Sequence, residues 1–271
     1  GSGQQRIDHN DNTVTNSVAP SQDLNIPSAG VTAVRSAEAA VGDAFQPSLS
    51  LYYVPNDPLF GSQWHLRNTG QGGGQAGIDI NVTGVWDDYT GAGVRVGVVD
   101  DGVEYTHHDL DGNYNTSGQR DYSGTNDSDP FPGATDNHGT AVAGLIAAEN
   151  DGVGAVGVAF DADITAFRIF GGGVTVDDFS DVYNRHAIEI DVSNNSWGFD
   201  GFFFDNLDGA TFAPVNTAIE NAAANGRGGL GTVMLWAAGN DRLEGQDVNY
   251  HGFQNARETI AVAAIDNSGG V

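Results

Sequence analysis

The order of residues predicts an α/β fold with a mostly parallel β-sheet. Two observations predict it. Short runs of β-branched and aliphatic residues alternate with longer stretches that carry helix signals, giving a repeated βαβ rhythm from residue 51 onward. Three of the apolar runs also end in clusters of Asp, Asn, Ser and Gly, the residues that turn a chain at the mouth of a sheet.

The elements follow in order. Residues 94–99 form a compact β-branched run, the mark of a buried parallel strand. Residues 138–148 are rich in Ala, Gly and small aliphatics, as in a tightly packed helix. Residues 164–170 read as a strand, and 176–186 as a helix with Asp177 and Asp178 at its positive end. Residues 188–194 form a third strand, and 213–225 a helix stopped by Gly226. Strands at 232–237 and 259–264 complete the pattern. Residues 1–50 show no sustained period and read as a flexible extension, linker or propeptide remnant, with a short helix at 33–40. The second region, 51–271, carries the fold.

Composition removes several function classes. The formal net charge is -26, and all ten cationic residues are Arg. Such acidity opposes binding to nucleic acid or to an anionic membrane. It fits carboxylates that hold Ca²⁺, or an acidic surface that keeps the protein dissolved, as in salty water. The two are compatible. There is no Cys, so disulfides and thiolate metal sites are excluded. No apolar run approaches the length of a membrane span. No G-x-G-x-x-G follows the first strand, and Asp100-Asp101 would repel a phosphate there, which argues against a nucleotide enzyme.

Ligands of open α/β sheets bind beyond the carboxyl ends of the strands. The polar residues gather there: Asp100-Asp101-Gly102 after the first strand, Asn194 to Gly198 after the third, and Ala238-Gly239-Asn240 after the fourth. Asp136-Asn137-His138 opens the first helix and sets an imidazole at its N-terminus. Each group alone is an ordinary turn or cap. Together on one edge they suit acyl transfer: a buried Asp orients a His, the His takes a proton from a Ser hydroxyl, and an Asn amide faces the developing oxyanion.

These residues resemble the motifs of the subtilisin-like serine proteases. The segment 98–103 with His108-Asp109-Leu110 is similar to the catalytic-Asp motif, and 136–144 to the catalytic-His motif. Asn195-Ser196-Trp197-Gly198 resembles the substrate-binding segment, and 236–240 the oxyanion-Asn motif. The resemblance runs from about Asp57 to Val271 and is closest to the kexin/furin-like branch, through Asp100-Asp101, the Trp64 segment and 226–231. It implies a subtilisin-like three-layer fold, incomplete at the C-terminus, and an endopeptidase acting on polypeptides. It makes Asp100 the His-orienting acid, His138 the general base and Asn240 the oxyanion donor. Asp101 would favour a basic substrate residue. Ser196, Trp197 and Gly198 would pair their backbone with the substrate as an added strand.

The resemblance also implies a Ca²⁺ site built from Asp57, Asp109 and Asp151, with backbone carbonyls of Glu149, Val153 and Ala155. It implies a secreted or extracellular protein that is monomeric at full length. Read alone, Asn150-Asp151-Gly152 is a plain turn. Two departures stand out. Where furin-like enzymes hold a substrate Arg with acids, spacing from Asn240 places His251; Asp200 offers a second acid, in a loop that carries Phe202-Phe203-Phe204. Those three rings line the cleft or simply pack the loop. Strict cleavage after paired basic residues is therefore not expected. No Gly-Thr-Ser motif of the nucleophile occurs, and no Ser is assigned that role. The expectation is a parent protease whose Ser lies beyond residue 271. Residues 1–271 alone would then be inactive, leave apolar surface uncovered, and be poorly soluble or partly folded. The other class is a non-catalytic, Ca²⁺-binding interaction domain on the same scaffold.

Overall fold

Every strand of the sheet runs parallel to its neighbours, so each connection has to cross one face of the sheet. A computed structural model describes residues 53–124, 128–240 and 242–271. The expected helix at 33–40 and the rest of the N-terminal extension lie outside the described residues.

Strand β1 (Arg95–Asp100) lies inside the sheet. On one side it pairs with β3 (Asp163–Arg168), beyond which lies the two-residue β2 (Arg120–Asp121). On the other side it pairs with β4 (Val192–Asn195), followed by β5 (Val233–Ala237) and β6 (Thr259–Val262). The helices are α1 (His138–Ala147), α2 (Val176–Glu189), α3 (Ala213–Gly229) and the short α4 (Gly252–Asn255).

Alternation along β1 sets the layers. Val96 and Val98 join Ile164, Ala166 and the α1 residues Ala143 and Ala147 in one cluster. Val99 points the other way, with Phe167, Met234 and Trp236, into a cluster with Phe179 and Val182 of α2 and Val215 and Ile219 of α3. Helices therefore cover both faces. The chain leaves β1 over one face to reach β3, and leaves β3 over the other to reach β4. This reversal opens a crevice at the carboxyl end of β1, the place where such sheets bind ligands.

Each expected element from residue 94 onward is present, though several bounds differ: the strands expected to reach 170 and 264 end at Arg168 and Val262. Helix α2 continues to Glu189, and β4 begins only at Val192. The Ile188/Ile190 pair reads as β-branched strand, yet Ile188 is 81% exposed on the last turn of α2. A Thr175–Asp178 capping box starts that helix, and its apolar stripe against α3 carries it on. Strand β2 has no apolar run to announce it. In α3 the helical backbone ends at Gly226 (ψ 162°), as expected. Leu145 on α1 and Ile260 and Val262 on β6 are more than half exposed.

Gly97 is a close-approach residue. A Cβ there would meet Ile190, His186 and Phe167 at 3.1–3.2 Å. His186 beneath it is fully buried, edge-on to the Phe167 ring, and neither ring nitrogen has a hydrogen-bond partner among the described residues. Burial pushes the imidazole from 6.5 down to about 3. The unfolded chain therefore binds more protons here between those values, so this residue removes stability as pH falls from 6.5 toward 3. His186→Leu should flatten that loss. Urea midpoints at pH 7 and pH 5 test it; an equal drop in both proteins would exclude His186 as the source.

Candidate active site

Two consecutive carboxylates end β1 and point to different tasks. Asp100 is 2% exposed. Its Oδ1 accepts the Asp101 N–H at 2.8 Å, and its two oxygens lie 2.8 and 3.0 Å from His138 Nδ1. Burial pushes the Asp100 carboxyl above its ordinary value, while the bonds from His138 and from the Asp101 amide oppose that rise. The carboxylate fixes Nδ1 as the protonated nitrogen, a tautomer assigned from the hydrogen-bond network. Nε2 is then the free lone pair. Over half of the His138 side chain is exposed, and Nε2 has no partner among the described residues. This is a base held in one orientation and open to a ligand.

Asp101 turns away from that role. Its Oδ2 accepts the His138 N–H at 3.1 Å and its Oδ1 the Gly139 N–H at 2.7 Å. It caps the first turn of α1, where Asn137 supplies no side-chain bond. The family resemblance implies that Asp101 favours a substrate cation. Its carboxylate is half-buried and engaged by two amides, so it also holds the helix that carries His138.

Other groups lie along the same sheet edge. Asn240 follows β5, is exposed, and keeps its amide free of partners among the described residues. Adjacent strands are about 4.8 Å apart, so the carboxyl ends of β1 and β5 lie about 10 Å apart across β4. Ser196 Oγ accepts the Asn194 amide at 3.0 Å, and Gly198 is exposed. Trp197 is a core ring, 8% exposed and edge-on to Trp236; only its backbone remains available to a ligand. Asn195 is also internal: it takes the Tyr183 hydroxyl and donates to Ser193 and to the Leu235 carbonyl.

The residues expected to set specificity are only partly brought together. Asp200 is exposed, and its carbonyl accepts the Gln246 amide. His251 is 7% exposed. Its Nε2 lies 2.8 Å from Gln246 Oε1 and its Nδ1 3.6 Å from Asp205 Oδ1. It lines a cavity of about 510 Å³ with Tyr250, Asp208 and Arg257. Sequence reasoning missed Asp205, a fully buried acid that also accepts the Phe253 N–H. The aromatic run just before it drew attention to the rings instead. Phe202 and Phe203 lean on Tyr250, Phe204 on Phe199 and Phe212, and all three stay more than half exposed.

The candidate cation residues converge on one loop. Asp57 Oδ1 accepts the Asp151 and Gly152 amides, and Asp109 Oδ2 accepts the Ala155 amide at 3.0 Å. Both carboxylates are buried, and Asp57 Oδ2 and Asp109 Oδ1 have no hydrogen bond. Gly154 lies against Asp109, where a Cβ would sit 2.1 Å from Oδ2. His108 Nε2 lies 3.5 Å from Asp109 Oδ1. Two buried anionic oxygens without a hydrogen bond, beside a tight glycine loop, fit a hard cation. Asp151 is exposed, and its Oδ1 accepts the Val153 N–H. Glu149 spends one carboxylate oxygen on the Gly112 amide, leaving its carbonyl as the group the sequence reading assigned.

With this geometry in place, comparison with known proteins decides the family. Residues 91–271 match the Peptidase_S8 description, subtilase family. The chain belongs to the subtilase family. Neuroendocrine convertase 2 of Caenorhabditis elegans is 37% identical over 233 residues, which are 83% of this chain and 35% of that protein. Proprotein convertase subtilisin/kexin type 7 of Mus musculus is 38% identical over 224 residues, 79% of this chain and 28% of that protein. This subtilase chain thus spans about a third of the curated relatives it matches. The crystal structure of the serine protease of Aeromonas sobria superposes with a TM-score of 0.73 at 25% identity, covering 82% of this chain and 42% of that one. The expected subtilisin-like α/β fold and the likeness to kexin-type convertases both hold.

Asp101→Ala should lower the stability of this subtilase domain by about 1–2 kcal/mol, because two amides at the start of α1 lose a charged acceptor. Thermal melting measures it. An unchanged midpoint would show that water satisfies the helix start equally well.

Proposed function

We propose that this chain is the dyad-bearing part of a serine endopeptidase that acts on polypeptides. The observation that carries this reading is the Asp100–His138 pair: a buried carboxylate 2.8 Å from Nδ1 leaves a partly exposed Nε2 as the base. Membership of a family of serine endopeptidases supports it. Among the described residues no hydroxyl bonds to Nε2. The nucleophile in this reading is a Ser outside these 271 residues.

In the reaction, His138 Nε2 takes the Ser Oγ proton as the oxygen attacks the scissile carbonyl carbon. Asp100 stabilises the imidazolium without taking its proton. The Asn240 amide donates to the carbonyl oxygen as it gains charge. His138 then passes the proton to the leaving amine. The Ser196–Gly198 backbone offers an edge on which an extended peptide pairs. With His251 and the buried Asp205 near the expected specificity pocket, a strict demand for paired basic residues is not part of this reading. Secretion and a monomeric full-length enzyme remain part of the proposal. No helix among the described residues is long and apolar enough to cross a membrane.

Asp57, Asp109 and the 149–155 loop would hold Ca²⁺. The ion would supply positive charge to two buried carboxylate oxygens that have no hydrogen bond and would tie the start of the domain to the loop after α1.

Two measurements test these statements on the full-length protein. His138→Ala should cut peptide hydrolysis by about 10²–10⁴-fold or more with folding intact; full activity would remove His138 from the mechanism, and no activity in either protein would favour a non-catalytic interaction domain. A chelator should lower the melting temperature, with Ca²⁺ restoring it; coincident melts with and without chelator would exclude the cation site.

A further inference from the structure

One cation stands among the carboxylates around the dyad. Arg168 closes β3, and its backbone is in register with Asp100 of β1. Its side chain is 15% exposed and makes three bonds to three segments. Nε donates to the Asp101 carbonyl at 3.0 Å. Nη1 donates to Asp121 Oδ2 of β2 at 3.3 Å, and Nη2 to Asp136 Oδ2 at 3.0 Å. Asp136 Oδ2 also accepts the Gly133 N–H, which closes the turn leading into α1.

We propose that Arg168 is the positioning residue of the dyad, setting where His138 meets Asp100 and offsetting the negative charge beside the imidazole. The geometric part follows from where the bonds fall. Asp100 and Asp101 leave β1 together, and His138 enters two residues after Asp136. A planar guanidinium grips the Asp101 carbonyl with one N–H and the Asp136 carboxylate with another. It therefore spans the two backbones whose separation fixes the Asp100–His138 contact. The fork is rigid, and a flexible ammonium cannot reproduce both bonds at once. No substrate-contacting role is needed for this.

The electrostatic part follows from the count of charges. The charged groups packed around the dyad are Asp100 and Asp101 from the end of β1, Asp136 from the turn before α1, Asp121 from β2, and Arg168 from β3. Without the guanidinium four carboxylates remain. The negative charge beside the imidazole then has no guanidinium to offset it.

This inference rests on the endopeptidase reading, and the experiment separates the two. In the full-length protease, activity of the wild type and its loss in His138→Ala first establish the reading itself. Arg168→Met and Arg168→Lys are then compared by kcat, KM and the pH profile of kcat/KM at low salt. The expected result for Arg168→Met is a kcat lower by about 10–100-fold, the size of effect a small misplacement of reacting groups produces. KM should stay within about twofold, since only the transition state uses the alignment, and the acid limb should move to higher pH. Arg168→Lys should restore the position of the acid limb but only part of kcat. If Arg168→Met does not fold, Asp136→Asn, which weakens one of the three bonds, should lower kcat in the same direction. A folded Arg168→Met, or failing that Asp136→Asn, with wild-type kcat would overturn the proposal. So would a loss of melting temperature with no change in kcat or in the acid limb, since that marks a purely structural residue.

Discussion

The pair of carboxylates at the end of β1 is the constraint on which the rest of the site depends. Asp100 reaches the side chain of His138, while Asp101 reaches the backbone of the same residue and of Gly139. One residue is thus gripped by its ring and by its amide from the last residue of a strand and the one that follows it. A strand end is a rigid support, and a helix start has unpaired N–H groups to offer. The geometry follows from joining these two without an intervening flexible loop. Gly139 permits the approach: a Cβ there would lie 2.3 Å from the Gly102 carbonyl.

Much of this arrangement was legible from residue order. Val96, Val98 and Val99 announce β1 by branching alone, and the small residues of α1 announce a helix pressed onto the sheet. The Asp-to-His relation is visible because both motifs fall at predicted element ends. The duties of individual carboxylates were not legible. Asp101 looks like a free acid in sequence, and only the placement of α1 shows the amides that occupy it. Asp205 lies in a loop whose aromatic residues dominate the pattern, and its burial comes from the fold of 246–254 against it. Arg168 reads as the last residue of a strand. Its three partners lie 32 to 67 residues away in sequence, beyond the reach of any local signal.

The same limit explains α2. Ile188 and Ile190 favour strand by branching, but the capping box at Thr175 and the stripe of Phe179, Val182 and Tyr183 against α3 favour helix. Packing over fourteen residues outweighs the preference of two. Acidic composition was similarly ambiguous. Many carboxylates here cap turns or face water, and composition alone could not separate these from Asp57 and Asp109, which share one loop and each keep a buried oxygen without a hydrogen bond.

The all-parallel sheet also governs how the domain comes into being. No strand pair can form through a hairpin. Val96 pairs with Ile164 on one side and Val192 on the other, so the strand that ends in Asp100 gains its first neighbour only after the 67 residues between Val96 and Ile164 have been brought round. Loop-closure entropy is spent before any ladder bond repays it. Pairings this distant in sequence slow folding, and until β3 and β4 dock, the valines of β1 have no strand beside them. For such a chain the height of the folding barrier, more than the depth of the native well, decides how much functional protein is obtained.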